Sequence, residues 1–183
     1  LHILPILEKP IFPGRCVYGA YLNKSGGVID DTIIYKLEKD NYMAVVNAGM
    51  GSGVAQHLNH NKGRRNVELT DLTDKLGKID VQGPLSAKIL AGVLKDPEKV
   101  FEKMPYFSFK GYFENGSALA DQVRLTDGTP ILLSRTGYTG EFGFEIFIDS
   151  NDTVRLWEMI LEAGQPFGIV PCGLAARDSL RCG

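Results

Sequence analysis

The sequence predicts an α+β fold built from antiparallel meanders with packed helices. Near the N-terminus, three runs rich in β-formers are joined by short polar turns, whereas parallel neighbours would need a crossover of about a dozen residues or more. Farther along, segments with apolar residues at helical spacing fall between groups of strands. With 183 residues, of which 44% are hydrophobic, the chain can bury one large core or two small ones.

The first third of the chain supplies the first meander. Strands are expected at 15–23, 28–37 and 42–48, with "KSGG" and "EKDN" as the turns between them. Residues 52–62 follow as a helix.

The rest of the chain alternates strands and helices less regularly. A strand at 77–83 leads into a helix over 84–95, in which Pro84 suits the first helical position. Helices are also expected over 152–164 and 173–181. The remaining strands are expected at 105–112, 117–125, 130–136 and 143–148. The inner face of the helix over 152–164 should carry Val154, Leu156, Trp157, Ile160 and Leu161.

The stretch "YMAVVNAGMGSGVAQHL" places Gly49, Gly51 and Gly53 between a strand and a helix. A dinucleotide fingerprint needs G-x-G-x-x-G after the first strand of a parallel βαβ unit. Here Val54 takes the place of the third glycine, and the preceding strand belongs to an antiparallel meander. We therefore interpret the loop as a strand-to-helix turn that binds no nucleotide.

Composition and charge exclude several classes of function. A net charge of −2 provides no basic field for nucleic acid, and the apolar runs fall far short of the roughly 20 residues of a membrane span. The N-terminus lacks the basic segment of a signal peptide. The three cysteines are odd in number and unpatterned, which indicates a reducing compartment. We expect a cytoplasmic protein, or a mitochondrial matrix protein in a eukaryote.

The chain begins at Leu1 rather than Met and stops inside a predicted helix. We therefore interpret 1–183 as a region of a longer protein, truncated at both ends. His57 and His60 are three residues apart, a spacing that fits a solvated helix face, so no metal site is expected.

Alternation along "VIDDTIIY" assigns faces to two neighbouring acids. Asp31 falls on the side of Ile33 and Tyr35, whereas Asp30 falls on the more polar side. A carboxylate on an apolar face is costly unless something specific satisfies it, which makes Asp31 a candidate functional residue. The alternative is structural, with Asp31 capping a turn or pairing with Arg15.

Two later segments are also candidates. Residues 134–148 combine three glycines and two glutamates with Tyr138. Glycines let a ligand approach the backbone closely, although a plain hairpin with solvated glutamates fits equally. Residues 173–181 present Arg177 and Arg181 on one helix face, an arrangement that is usually solvated.

Five segments together resemble the aminomethyltransferase (T-protein) family of the glycine cleavage system. In order and spacing they are "YGAYLNKSGGVIDDTIIY", "VVNA", "VQGP", "SRTGYTGEFGFEI" and "PCGLAARDSLR". The resemblance covers nearly the whole chain and implies tetrahydrofolate-binding α+β units that resemble ferredoxin-like domains. In the family a β-barrel domain follows, and this chain lacks it. Residues 1–183 would then be the folate-binding aminomethyltransferase region.

The same resemblance assigns roles to individual residues. The acid essential in the family matches Asp31, which would be catalytic. Glu145 matches the pterin-binding glutamate and Arg177 its arginine partner. The other cofactor-binding positions are Tyr18, Asn47, Tyr106 and Tyr138.

The implied reaction is tetrahydrofolate-dependent aminomethyl transfer from a lipoyl carrier protein (H-protein). It releases ammonia and forms 5,10-methylene-tetrahydrofolate, with Asp31 near N5. Two alternatives stay open. One is a paralogue of the same fold with another donor, such as a demethylase or the folate domain of a dimethylglycine- or sarcosine-oxidising enzyme. The other is a non-catalytic folate-binding protein of the iron–sulfur-assembly type, which ranks last because its "KGCYxGQE"-like signature is absent.

Overall fold

The computed structural model describes residues 11–182 of the chain. The chain divides into two compact units, with the boundary between Thr73 and Asp74. The first unit combines an antiparallel sheet with one helix, the second combines an antiparallel sheet with several helices, and the described residues form no closed barrel. The predicted α+β class is therefore confirmed.

The first unit contains a three-stranded sheet in the order β1-β2-β3 and one helix. Its elements are β1 (Arg15–Leu22), β2 (Val28–Glu38), β3 (Asn41–Val46) and α1 (Gly51–Asn61). Both strand pairs are antiparallel, as the short turns predict. In the β1–β2 turn, the carboxamide oxygen of Asn23 accepts hydrogen bonds from the backbone N–H groups of Ser25 and Gly27. Gly49, with a φ of +82°, turns the chain from β3 into α1.

The second unit contains a four-stranded antiparallel sheet in the order β4-β7-β6-β5. Its strands are β4 (Leu76–Gln82), β5 (Phe109–Gly111), β6 (Leu132–Ser134) and β7 (Gly143–Asp149). Its helices are α2 (Ser86–Ala91), α3 (Pro97–Phe101), α4 (Thr153–Gly164) and α5 (Leu174–Leu180). Helices α2 and α4 contact each other as well as the sheet.

One face of the second sheet forms the hydrophobic core. Alternation along β7 sends Phe144, Ile146 and Ile148 into this core, where they join Leu156 and Ile160 of α4. The intervening residues of β7 therefore point to the opposite face of the sheet. This second face carries the polar side chains described below.

Three expectations about elements are wrong. The helix expected over 84–95 begins at Ser86 and ends at Ala91, because two turns bonded from Gly92 N–H to Ile89 O and from Val93 N–H to Leu90 O follow it. Pro84 therefore lies before the helix.

The expected strand at 117–125 is instead a turn and a 3₁₀ helix at Ala120–Gln122. The Ser117 hydroxyl accepts a hydrogen bond from Leu119 N–H, and the Ser117 carbonyl accepts one from Ala120 N–H. These local bonds replace a strand ladder.

The inner face of α4 is narrower than predicted. Leu156 and Ile160 are buried, but 69% of Val154 and 40% of Trp157 are exposed. Among the described residues, no helix is both long enough and apolar enough to span a bilayer.

Candidate functional site

In the first unit, Asn47 joins two neighbouring acids of β2. Its side-chain Nδ2 donates to Asp30 Oδ1 at 2.8 Å and also to Asp31 Oδ1. Its backbone N–H donates to Asp30 Oδ2 at 3.0 Å. The Tyr18 hydroxyl of β1 donates to Asp31 Oδ2 at 2.8 Å. Three predicted site residues, Tyr18, Asp31 and Asn47, are thus brought together, and Asp30 joins them.

The strand faces were predicted correctly, but the burial of the two acids was not. Directly opposed residues share a face, and the register places Asp31 opposite Ala20 and Asp30 opposite Tyr21. Asp30 is only 7% exposed, whereas Asp31 is half-buried. Helix α1 explains the difference, because its His57 ring lies edge-on 6.4 Å from the Tyr21 ring, on the face of Asp30.

Solvent access therefore separates the roles of the two acids. Both oxygens of Asp30 accept from Asn47 inside the unit, which is a structural arrangement. Asp31 is half-buried, so solvent reaches it. The alternative pairing of Asp31 with Arg15 is not formed, because Arg15 lies opposite Lys36, farther along β2.

The buried surroundings of Asp30 also change the pKa of a neighbouring tyrosine, Tyr21. Burial of Tyr21 raises its pKa, and the negative charge of Asp30 raises it further. The Thr32 hydroxyl donates to Val45 O at 2.8 Å.

In the second unit, Glu145 lies at the centre of a charged cluster that we define as Lys78, Asp80, Thr136 and Glu145. Glu145 is 5% exposed. Its Oε1 accepts from Lys78 Nζ at 2.6 Å, and its Oε2 accepts from the Thr136 hydroxyl. Lys78 Nζ also donates to Asp80 Oδ1 at 2.7 Å. Asp80 and Glu145 are directly opposed on β4 and β7, so both carboxylates share the second face of the sheet.

The direction of one proton in this cluster follows from chemistry. The hydroxyl oxygens of Thr136 and Ser134 lie 2.7 Å apart, and both residues are buried. A hydroxyl has one proton, and a carboxylate only accepts. Thr136 must therefore give its proton to Glu145 and accept one from Ser134. The position of Glu145 Oε2 is thus held by a donor of fixed direction.

The charges of the cluster shift the pKa of two of its members. Burial acts to lower the pKa of Lys78, but Glu145 and Asp80 outweigh it, so the pKa of Lys78 is raised. Burial raises the pKa of Asp80, and Glu145 adds to this, whereas Lys78 and then Arg177 act to lower it. The positive charge of Arg177 therefore acts on Asp80, a member of the cluster.

Tyr138 forms a second group in this unit with Arg177 of α5 and with Arg181, which directly follows α5. The guanidinium carbons of Arg177 and Arg181 lie 5.7 and 5.4 Å from the centre of the Tyr138 ring. Arg181 Nη1 donates to the Tyr138 hydroxyl at 2.6 Å. Arg177 Nε is buried and has no hydrogen-bond acceptor in the described part of the chain.

Tyr106 belongs to a different group. Its ring packs edge-on against Phe107 at 4.7 Å, and the guanidinium of Arg135 lies 5.6 Å from its centre. Arg135 also stacks on Phe142 at 3.9 Å and faces Phe144, which points into the core. The structure thus groups Glu145 with the charged cluster and Arg177 with Tyr138, but it groups Tyr106 with the aromatic residues around Arg135.

The glycines of the 134–148 segment are predicted to let a ligand approach the backbone closely. Two of them instead make room for a side chain, because a Cβ on Gly137 or Gly143 would lie 2.2 or 2.0 Å from Gln82 Oε1. Gln82 Nε2 donates to Phe144 O at 3.1 Å and to Thr136 O at 3.3 Å. These glycines therefore serve packing within the sheet.

Sequence reasoning missed Asp30, Lys78, Asp80 and Thr136. A signal for two of them was present, since "KIDV" alternates polar and apolar residues and sends Lys78 and Asp80 to the face opposite Ile79 and Val81. The described residues contain no group of three or more histidine, cysteine or acidic side chains placed to hold a metal ion.

Comparison with known proteins places these features in a family. The family model described as "GCVT N-terminal domain" matches residues 7–183. The chain is 40% identical over 169 residues to the aminomethyltransferase of Natranaerobius thermophilus, with 92% of this chain and 42% of that protein covered. It is 39% identical over 167 residues to the aminomethyltransferase of Caldanaerobacter subterraneus, with 91% and 41% covered.

A solved structure gives the same relation. The glycine cleavage system aminomethyltransferase T of Bartonella henselae superposes with a TM-score of 0.73 at 27% identity, covering 93% of this chain and 41% of that one. The chain thus spans about two fifths of the length of the relatives it matches.

Proposed function

This chain belongs to the GCVT N-terminal domain family, and from that premise we propose that its protein is a tetrahydrofolate-dependent aminomethyltransferase of glycine cleavage. The donor would be the aminomethyl-lipoyl arm of a carrier protein (H-protein). The products would be ammonia and 5,10-methylene-tetrahydrofolate. The bacterial relatives named as aminomethyltransferases support this activity and a cytoplasmic location.

The residues of the second unit fit the pteridine of a folate. Glu145 is a buried carboxylate that Lys78 and Thr136 hold in place, with lone pairs to spare for ring N–H donors. Arg177 adds a guanidinium beside the Tyr138 ring, and its N–H donors suit an acceptor on the ligand. Tyr138 is largely exposed and offers a ring face for the p-aminobenzoyl group.

The residues of the first unit fit a proton-handling role. Bound tetrahydrofolate would supply N5, the nucleophile for the one-carbon group. Asp31 would orient that nitrogen and accept its proton, since it is an acid that solvent reaches and that Tyr18 and Asn47 hold in one orientation. Tyr18 and Asn47 would act by positioning Asp31. Tyr106 remains proposed as a folate-binding aromatic residue, supported only by the family resemblance.

The observation that carries the proposal is the half-buried Asp31, held by Tyr18 and Asn47 beside a second acid that is buried and bonded to Asn47 through both oxygens. The test is ammonia release by the natural protein in its full length, with tetrahydrofolate and an aminomethyl-lipoyl carrier as substrates. Activity that depends on both substrates supports the proposal.

Two other results would reassign the protein. Folate-dependent demethylation of dimethylglycine or sarcosine, without ammonia release from the carrier, would indicate a paralogue with another donor. Folate binding without turnover of any of these donors would indicate a non-catalytic folate-binding protein.

A further inference from the structure

The charged cluster contains one donor that its acids leave unused. An ammonium group has three N–H donors, and Lys78 gives one to Glu145 at 2.6 Å and one to Asp80 at 2.7 Å. Among residues 11–182, these carboxylates are the only acceptors that Lys78 Nζ contacts. The side chains of Lys78 and Asp80 are 35% and 34% exposed, so the cluster is partly open to solvent.

Glu145 also keeps part of its hydrogen-bonding capacity. A carboxylate offers about four lone-pair positions, and Lys78 and Thr136 take one on each oxygen. About two acceptor positions therefore remain beside the free donor of Lys78. Glu145 is more deeply buried than Lys78. A flat ligand edge in the cluster would therefore face the acceptors of Glu145 at its deeper end and the donor of Lys78 nearer the surface.

A ring edge with two neighbouring donors followed by an acceptor complements this arrangement. The 2-amino-4-oxo pyrimidine edge of a folate has that order, since its 2-amino group and N3–H donate and its 4-oxo group accepts. In a 4-amino analogue the acceptor is replaced by a donor. An ammonium group cannot accept a hydrogen bond, so a 4-amino group would meet Lys78 donor to donor.

We propose that Lys78 is a specificity-determining residue that donates its third N–H to the 4-oxo group of the pteridine, so that the charged cluster selects 4-oxo over 4-amino pteridines. This inference rests on the proposed folate-dependent function and adds a residue to it. Asp80 is a positioning residue, because its carboxylate, opposite Glu145 on the neighbouring strand, holds the ammonium between two acids. The raised pKa of Lys78 is consistent with an ammonium that stays protonated there.

The test uses the natural protein in its full length and two ligands that differ at ring position 4. Calorimetric titration compares tetrahydrofolate with its 4-amino-4-deoxy analogue, for the wild type, Lys78→Met, Lys78→Gln and the matched control Lys75→Met. Lys75 is an exposed lysine just before β4, outside the cluster. Lys78→Met should weaken tetrahydrofolate binding about tenfold or more, the range for a hydrogen bond from a charged donor, and change the analogue much less.

Infrared spectroscopy isolates the contact itself. Glu145 also distinguishes the two ligands, because only the 4-oxo ligand carries a proton on N3, so the ratio of affinities does not report on Lys78 alone. A second measurement therefore records the C4 carbonyl stretching band of a bound pteridine labelled with ¹³C at C4. A charged donor at the carbonyl lowers this band, and the band should rise in Lys78→Met. Lys78→Gln, which keeps an N–H donor without the charge, should give an intermediate position. Lys75→Met should match the wild type in both measurements.

Each other outcome has a definite meaning. If Lys78→Met weakens the binding of both ligands equally and leaves the C4 carbonyl band unshifted, the proposal is overturned. Lys78 would then serve only to support Glu145. If neither Lys78 variant folds, the wild-type complex decides the matter. A C4 carbonyl band at the same position as in the free pteridine in water would then overturn the proposal as well. A wild type that binds neither pteridine would instead overturn the folate-dependent function on which the inference rests.

Discussion

The hydroxyl of Tyr18 lies 2.8 Å from Asp31 Oδ2 and donates its proton to that carboxylate across the β1–β2 pair. Asn47 reaches the other oxygen of Asp31 from the C-terminal end of β3. One donor on each oxygen fixes the plane of an acid that solvent still reaches. Orientation of a reacting group is a contribution that can be measured apart from stability.

Tyr18→Phe should lower the rate of aminomethyl transfer by roughly tenfold, because Asp31 loses one of the two donors that orient it. Water can replace the hydroxyl at this half-buried site, so the free energy of unfolding should change by less than about 1 kcal/mol. Steady-state ammonia release and urea denaturation check the two parts. An unchanged rate would remove Tyr18 from the positioning role.

Asp31→Asn and Asp30→Asn should have opposite consequences. The carboxamide introduced by Asp31→Asn can still accept from Asn47 and donate to the Tyr18 oxygen, so the fold should keep its stability while transfer falls by about 10²–10⁴, the usual share of a general base. At Asp30, both carboxylate oxygens face Asn47 N–H groups, and an amide would place a donor against one of them. We expect Asp30→Asn to cost about 1–3 kcal/mol of unfolding free energy.

The comparison of these two acids is decided by denaturation and by ammonia release from the carrier with tetrahydrofolate. Full activity in Asp31→Asn, with loss of turnover in a stable Asp30→Asn protein, would exchange the roles of the two residues.

Glu145→Ala and Arg177→Ala should each weaken tetrahydrofolate binding about tenfold or more, because each removes a charge-assisted hydrogen bond from a sheltered site. Glu141→Ala is the matched control, since Glu141 is an exposed acid on the same segment. Calorimetric titration supplies the affinities. Equal affinities in all three variants would take Glu145 and Arg177 out of the folate site.

The ion pair of Lys78 should leave a signature at alkaline pH. The pKa of Lys78 is raised in the folded chain, so this pair stabilises the fold fully below the unfolded-state value of about 10.4 and loses its contribution as the pH rises through the folded value. The difference in unfolding free energy between the wild type and Lys78→Met should therefore shrink above about pH 10.4. Urea denaturation from neutral to alkaline pH measures it, and a difference that grows with pH would contradict the ion pair.

Gly143→Ala should destabilise the fold by about 1–3 kcal/mol, because the new methyl group would meet Gln82 Oε1 at 2.0 Å and the Gln82 Cα at 2.8 Å. Gly53→Ala is the contrasting variant. Nothing lies within 4 Å of a Cβ at Gly53 in α1, so it should gain about 0.5–1 kcal/mol from helix propensity. Thermal unfolding of the two variants tests whether close approach explains Gly143.

Local chemistry made most of the fold predictable. The polar turns at 23–27 and 38–41 specify antiparallel pairing, and alternation in β2 gave the correct sides for Asp30 and Asp31. Burial could not be obtained in the same way, because it depends on where α1 packs along the sheet. The mistaken strand at 117–125 has a different cause, since the Ser117 hydroxyl offers the backbone a local partner that periodicity does not register.

The candidate site shows the same division. The resemblance assigned Glu145 and Arg177 to the site, because their neighbours in sequence form recognisable motifs. Lys78 reaches Glu145 only because β4 pairs with β7 in one particular register, and no local pattern contains a contact between such distant parts of the chain.

The alternation of side chains along β7 restricts how this strand can pair with its neighbours. Phe144 and Ile146 anchor the core, and Glu145 between them projects to the polar face. Sliding β7 by one residue would drive a carboxylate into the hydrocarbon interior and turn the anchors away from it. Misfolded pairings of this strand are therefore penalised by the same residue that would bind the ligand, and selection for binding at Glu145 also enforces a single alignment of the sheet.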